Sequence, residues 1–245
     1  MEGYSHDTEK QAVWFLRFMN PSRNSRIYID WLAANQDFSG RKSQDLARRR
    51  LNYEMAPPQD PTSPFPDPTV LLTGHDSNGK AIVQDSTVEE TKIYAGMRTS
   101  HNLLYTTSEF PPDLNNDKDI KLHKDIKSSG KLNIVNAGGT LMRYVNFAPQ
   151  NTTVMHRTQS LDYGVVMEGE MIMELDDGNE TLLRRGDVAV QRATMHAWKN
   201  ASNTEWARML FVLQDCQSLS VEGQRLKEDL GVVGSSIFTP SGNDK

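Results

Sequence analysis

Between residues 156 and 200 the chain sets His156, Asp162, Gly169, Gly186, His196 and Asn200 in close succession. Imidazole and carboxylate are groups of general acid–base catalysis and of metal ligation, because each carries a usable lone pair near neutral pH. Two imidazoles and a carboxylate at these spacings can converge on one centre if the segment folds as adjacent antiparallel strands. Thr158, Tyr163, Gln191, Arg192 and Trp198 lie beside them in the chain and are candidate substrate contacts.

The elements that must position these residues are legible as strands. Residues 139–147 alternate in polarity, and residues 163–175 do so on both sides of Glu168-Gly169-Glu170. Val188 to Gln191 is short and apolar, and Trp206 to Leu213 reads as a strong final strand. Asp176-Asp177-Gly178-Asn179 and Arg185-Gly186-Asp187 supply the turns. Short strands with closely spaced turns predict a mainly β barrel or double-sheet jelly roll. Upstream, Thr69–Thr73 and Lys80–Val83 flank a Gly- and Asn-containing turn and predict a hairpin. Residues 93–105 read as strand or loop, and residues 110–130 as a polar surface excursion. His75, His101 and His123 fall in these turn and loop contexts and read as ordinary exposed histidines.

The N-terminal part is different in kind. Ala12, Val13, Phe15, Leu16 and Met19 mark an apolar helical face, Ile27, Ile29, Trp31 and Leu32 continue the pattern through a second helix, and residues 43–53 form a further helical pattern containing Arg48, Arg49 and Arg50. Pro57, Pro58, Pro61, Pro64, Pro66 and Pro68 then exclude helix interior and predict an extended connector. The expected organisation is a helical extension over residues 1–55, a connector over 56–68 and a β-barrel domain over 69–245, with its motif core in 133–214. The extension is expected to wrap the barrel or to build a dimer contact.

At net charge -5 and a sequence pI near 5.7, the 245-residue chain has no basic field of the kind that holds a nucleic-acid backbone. No apolar run reaches the ~18 residues of a membrane span. Cys216 is the single cysteine, so neither an intrachain disulfide nor a thiolate zinc site is possible. A cytoplasmic protein with a small-molecule substrate is expected, and the sequons at Asn151, Asn179 and Asn200 are expected to be unused.

The two motifs together resemble the cupin superfamily, whose first motif runs His-x-His, Glu, Gly and whose second runs from Gly through His to Asn. His156, Asp162 and Gly169 stand at the first His, the Glu and the closing Gly; Gly186, His196 and Asn200 match the second motif. The text DYGVVMEGE followed by GDVAVQRATMHAW is similar to small cupin proteins of fungal polyketide pathways described as oxidoreductases. The departures are Thr158 at the second His position, Asp in place of Glu at 162, Arg192 in place of a Pro, and a second motif one residue short.

The resemblance implies a cupin-type double-stranded β-helix, a homodimer, and a site at His156, Asp162 and His196. With Thr158 in place of a histidine, the ligand set it implies is a facial triad of two His and one carboxylate for a divalent metal such as Fe(II). The expected activity is a small-molecule oxidoreductase acting on an aromatic or polyketide-type metabolite. Two alternatives stay open: metal-independent cyclisation, dehydration or isomerisation with a histidine as general acid or base, and a non-catalytic ligand-binding barrel.

Overall fold

The computed structural model describes residues 62–94, 96–130 and 133–244. The helical reading of residues 1–55 and the first part of the connector lie outside them.

Alternation along the strands separates an inner from an outer face. A first hairpin pairs β1 (Thr69–His75) with β2 (Ala81–Val88), and Asp76 closes its turn by accepting hydrogen bonds from the backbone N–H groups of Asn78 and Lys80. This hairpin stands as a sheet of its own. Next come β3 (Lys92–Tyr94), β4 (Thr99–Thr107), β5 (Thr140–Phe147), β6 (Ser160–Glu168), β7 (Glu170–Leu175), β8 (Glu180–Arg184), β9 (Val188–Arg192), β10 (His196–Asn200) and β11 (Ala207–Asp215). Six of them form an antiparallel sheet in the order β3-β4-β5-β11-β6-β9, and three form a second in the order β10-β7-β8. A small hairpin of β12 (Leu219–Val221) and β13 (Gln224–Leu226) and the short helix α2 (Gly231–Ile237) complete the chain, with α1 (Lys118–Ser129) inserted between β4 and β5.

The two sheets close on one core. Leu141, Val145, Val166 and Met209 enter it from the larger sheet, and Met171, Leu183 and Trp198 from the smaller. The rings of Trp198 and Phe211 meet edge-on at 5.5 Å across the gap between the sheets. Complete burial of Leu141, Met171 and Met209 contributes about 1.5–3 kcal/mol each, which is enough to fix the register of the strands that carry them. The predicted jelly-roll barrel is therefore present. At Gly169, between β6 and β7, φ is 76° and an added Cβ would come within 2.9 Å of the Ala207 side chain, so only glycine fits this corner.

Two sequence expectations are corrected. The excursion at residues 110–130 contains a helix, α1, which had no apolar stripe to announce it because the one residue it buries is His123. The helix is held by polar contacts instead: Tyr105 donates to Asp119 at 2.6 Å and Lys127 pairs with Glu89 at 2.5 Å. His101 and His123 are buried, the first on β4 and the second on α1; His75 is exposed as expected.

Candidate functional site

His196 is the first residue of β10, and His156 joins it through an isolated antiparallel bridge outside β6. Each donates its backbone N–H to the other's carbonyl at 2.9 Å. In such a hydrogen-bonded pair the side chains leave on the same side of the ladder. The ring centroids are accordingly 4.4 Å apart.

The two rings are anchored alike. His156 Nδ1 lies 2.8 Å from the Val154 carbonyl and His196 Nδ1 3.0 Å from the Thr194 carbonyl. A carbonyl can only accept, so both Nδ1 atoms carry hydrogen and both Nε2 atoms keep their lone pairs. Both residues line a cavity of about 90 Å³ between the sheets, whose other walls include Val145, Phe147, Trp198, Phe211, Leu230 and Phe238. Burial in this apolar setting pushes both imidazoles towards the neutral form; His196 is taken down to about 3, with the neighbouring His156 as the second cause.

Asp162 reaches the same cavity from β6, in the larger sheet. Its Oδ2 accepts a long hydrogen bond from Thr158 at 3.5 Å, Ser160 donates to Thr158 at 2.8 Å, and its Oδ1 has no partner. Burial raises the carboxyl to about 6 against the opposing effects of Ser160, Arg143 and Thr158. The imidazoles thus converge with each other, while the carboxyl belongs to a different sheet. Among the described residues no group of three or more His, Cys, Asp or Glu side chains could hold a metal ion. The donor set does not fit the expected facial triad. His156 and Asp162 do not share a strand, since β6 begins at Ser160 and His156 pairs with β10.

The other candidates divide by strand parity. Trp198 lines the cavity. Thr158 is buried and supports Asp162 without lining the cavity, and Gln191 is buried opposite Asp162 in the β6–β9 ladder, also away from the cavity wall. Tyr163 and Arg192 are corrected as substrate contacts: each follows an inward residue, Asp162 and Gln191, and so points out of the barrel. Asn200 is structural, donating from its side-chain amide to the carbonyls of Phe147 and Glu205 while its backbone N–H bonds to Asn151. Asn151 is committed in the same way, its side-chain amide donating to the Trp198 carbonyl at 3.0 Å.

Arg143 and His101 also line the cavity, although the sequence reading passed over the first and placed the second at the surface. Arg143 follows Leu141 and precedes Val145 on the inward face of β5, so a charge on the apolar phase of an alternating strand was the available signal. Its Nη2 donates to the Ile134 carbonyl, Nε is unpartnered, and burial lowers its pKa to about 10, which leaves it charged at neutral pH. His101 packs against Tyr94 with the rings tilted and their centroids 4.4 Å apart, and its Nδ1 is also unpartnered.

The described residues thus form a two-sheet antiparallel jelly roll with titratable groups gathered in a largely apolar interior cavity. No family model matches the chain. It is 37% identical over 191 residues to phomopsin biosynthesis cluster protein D of Diaporthe leptostromiformis, covering 77% of this chain and 100% of that one. It is also 37% identical over 165 residues to the cupin-domain-containing oxidoreductase fogC of Aspergillus ruber, covering 66% of this chain and 79% of the relative. A superposition on the polyketide cyclase RemF of Streptomyces resistomycificus has a TM-score of 0.36 at 16% identity, over 58% of this chain and 79% of that structure. The chain belongs to the family of cupin-domain-containing oxidoreductases encoded in fungal biosynthetic clusters.

Proposed function

We propose that the barrel cavity is the active site of an enzyme of fungal secondary metabolism, and that His156 and His196 move the proton in its reaction. The observation that carries this reading is the bridged pair: two neutral imidazoles, each with Nδ1–H tied to a carbonyl and Nε2 free, at the wall of an apolar cavity. A neutral Nε2 takes a proton from a carbon or hydroxyl beside a carbonyl of the substrate, and the buried imidazolium so formed returns it at another atom. Isomerisation, dehydration and cyclisation all follow from that step. The walls of Trp198, Phe211 and Phe238 suit an aromatic or polyketide-type body.

A second reading has its own observation. Metal-ligating histidines characteristically give their other ring N–H to a carbonyl or carboxylate, as both rings do here. His156 and His196 would then supply two donors to a divalent metal such as Fe(II), a Lewis acid, without Asp162. Metal analysis of the purified protein beside His156→Ala and His196→Ala separates the two. Turnover that persists in chelator and falls about 10²–10⁴-fold in either variant supports the acid–base reading. Stoichiometric metal that both variants lose sinks it in favour of ligation, and ligand binding with no turnover under oxygen and added metal would leave a binding protein. Homodimerisation belongs to the proposal as well, and sedimentation equilibrium tests it.

A further inference from the structure

Arg143 is 4% exposed, and among the described residues no carboxylate lies within ion-pair distance of it. Tyr94 and Asp162 act on it through space, but the hydrogen bond that Asp162 accepts comes from Thr158 and not from the guanidinium. A buried guanidinium held by a single carbonyl is costly unless something completes it. His101, 8% exposed, lines the same cavity with an unpartnered Nδ1, its Nε2 lying 3.3 Å from the Thr99 hydroxyl. Where Thr99 donates to Nε2, His101 Nδ1 carries the hydrogen and is a donor without an acceptor. Two nine-tenths-buried polar side chains that line one cavity thus each hold an unpartnered nitrogen, Arg143 Nε and His101 Nδ1, and Asp162, which lines it too, bonds neither.

We propose that Arg143 and His101 form an anion subsite for the carboxylate of an otherwise apolar small molecule, whose body rests against Trp198 and Phe211. The planar fork of a guanidinium matches a carboxylate, and one fixed cation beside Asp162 suits a monoanion better than a phosphate dianion. Phe211 stands between Arg143 and Gly164 in the β5-β11-β6 register, and its ring occupies the space that the glycine leaves, 3.0 Å from where a Cβ would sit, which sets the ring beside the anchor. The proposal rests on the active-site reading for where reaction occurs, but its binding test requires no turnover.

The test uses the full chain and three pairs of probes: benzoate with benzamide, phenylacetate with phenylacetamide, and octanoate with octanamide, measured by calorimetry. At least one acid is expected to bind at least about tenfold more tightly than its amide, the range of one charge-assisted contact. In Arg143→Met, checked for folding by near-ultraviolet circular dichroism, that preference is expected to fall to within about twofold. Should this variant not fold, the wild-type Arg143 Nε–H resonance, assigned by its absence in Arg143→Lys, is expected to shift with the acid and stay in place with the amide. The preference is also expected to survive His196→Ala within about threefold, so that failure of the imidazole pair as catalyst and failure of the anchor give different results. Equal binding of every acid and amide, a preference that persists without Arg143, an unmoved Nε–H, or loss of the preference with His196 would each overturn the proposal.

Discussion

Among the described residues, the flank under α1 and the barrel cavity both bury polar side chains, and they treat them in opposite ways. Under α1, His123 bonds Thr106 at 3.0 Å, Tyr105 bonds Asp119, and the nearly buried carboxylate of Glu89 is met by Lys127. In the barrel cavity, Arg143 Nε, His101 Nδ1 and Asp162 Oδ1 have no partner, and the Nε2 atoms of His156 and His196 are left free by the anchoring of Nδ1. Buried polar groups that are matched hold a fold together; buried polar groups left open are a cost to the fold that a ligand can offset. The flank is built as structure and the cavity as a site.

Substitutions test that contrast, beginning with the largest effect. His196→Ala or His156→Ala is expected to lower turnover about 10²–10⁴-fold, beyond the cost of about 1–2 kcal/mol from the lost Nδ1–H bond to a carbonyl, whereas His123→Ala is expected to cost a similar amount in stability and keep turnover. A cavity variant that unfolds the protein, or a flank variant that abolishes activity, would break the distinction.

Asp162→Asn comes next and has an unusual sign. The carboxyl sits near 6 in the fold against an ordinary 3.8, so the folded state holds its proton more tightly than the unfolded chain does. Its contribution is present in full below about pH 4 and is lost as pH rises towards 6, after which the penalty is constant. Removing the charge is therefore expected to stabilise the protein by up to about 3 kcal/mol above pH 6 and by little at pH 4. Urea denaturation at pH 4.5 and 7.5 measures the difference, and a loss of stability at pH 7.5 would mean that Asp162 is a matched structural group.

Lys127→Ala strips the partner from Glu89 and is expected to cost about 1–2 kcal/mol, less than for a fully buried pair because the lysine is half exposed. Activity should be unchanged. The smallest effect is expected at Lys199, whose pair with Glu180 is exposed on both sides and spans 3.6 Å; Lys199→Ala should move stability by less than about 0.5 kcal/mol, which thermal melts at low and high salt would check.

Much of the barrel was legible because period-two alternation and glycine turns are local properties. The runs at 139–147, 163–175 and 206–213 became β5, β6 with β7, and β11, and Gly178 turns with φ of 81° where the Asp-Gly pair predicted. The α1 helix was not legible, since its stabilising contacts reach Tyr105 and Glu89, well outside its own segment. Tyr163 and Arg192 were misassigned for a related reason: composition places a residue near a motif, but parity relative to Asp162 and Gln191 decides which face it joins.

By itself the sequence determined the strand class, the two motifs and the histidines that matter, because residue type and local periodicity are written in order along the chain. Tertiary structure decided the partnerships. The bridge that couples His156 to His196 spans 40 positions of sequence, and the approach of Arg143 to the same cavity depends on strands that pair through β11. Those distances follow from how two sheets close on a shared core, which no single segment specifies; the cavity took its pair of bases and its unmatched cation from that closure.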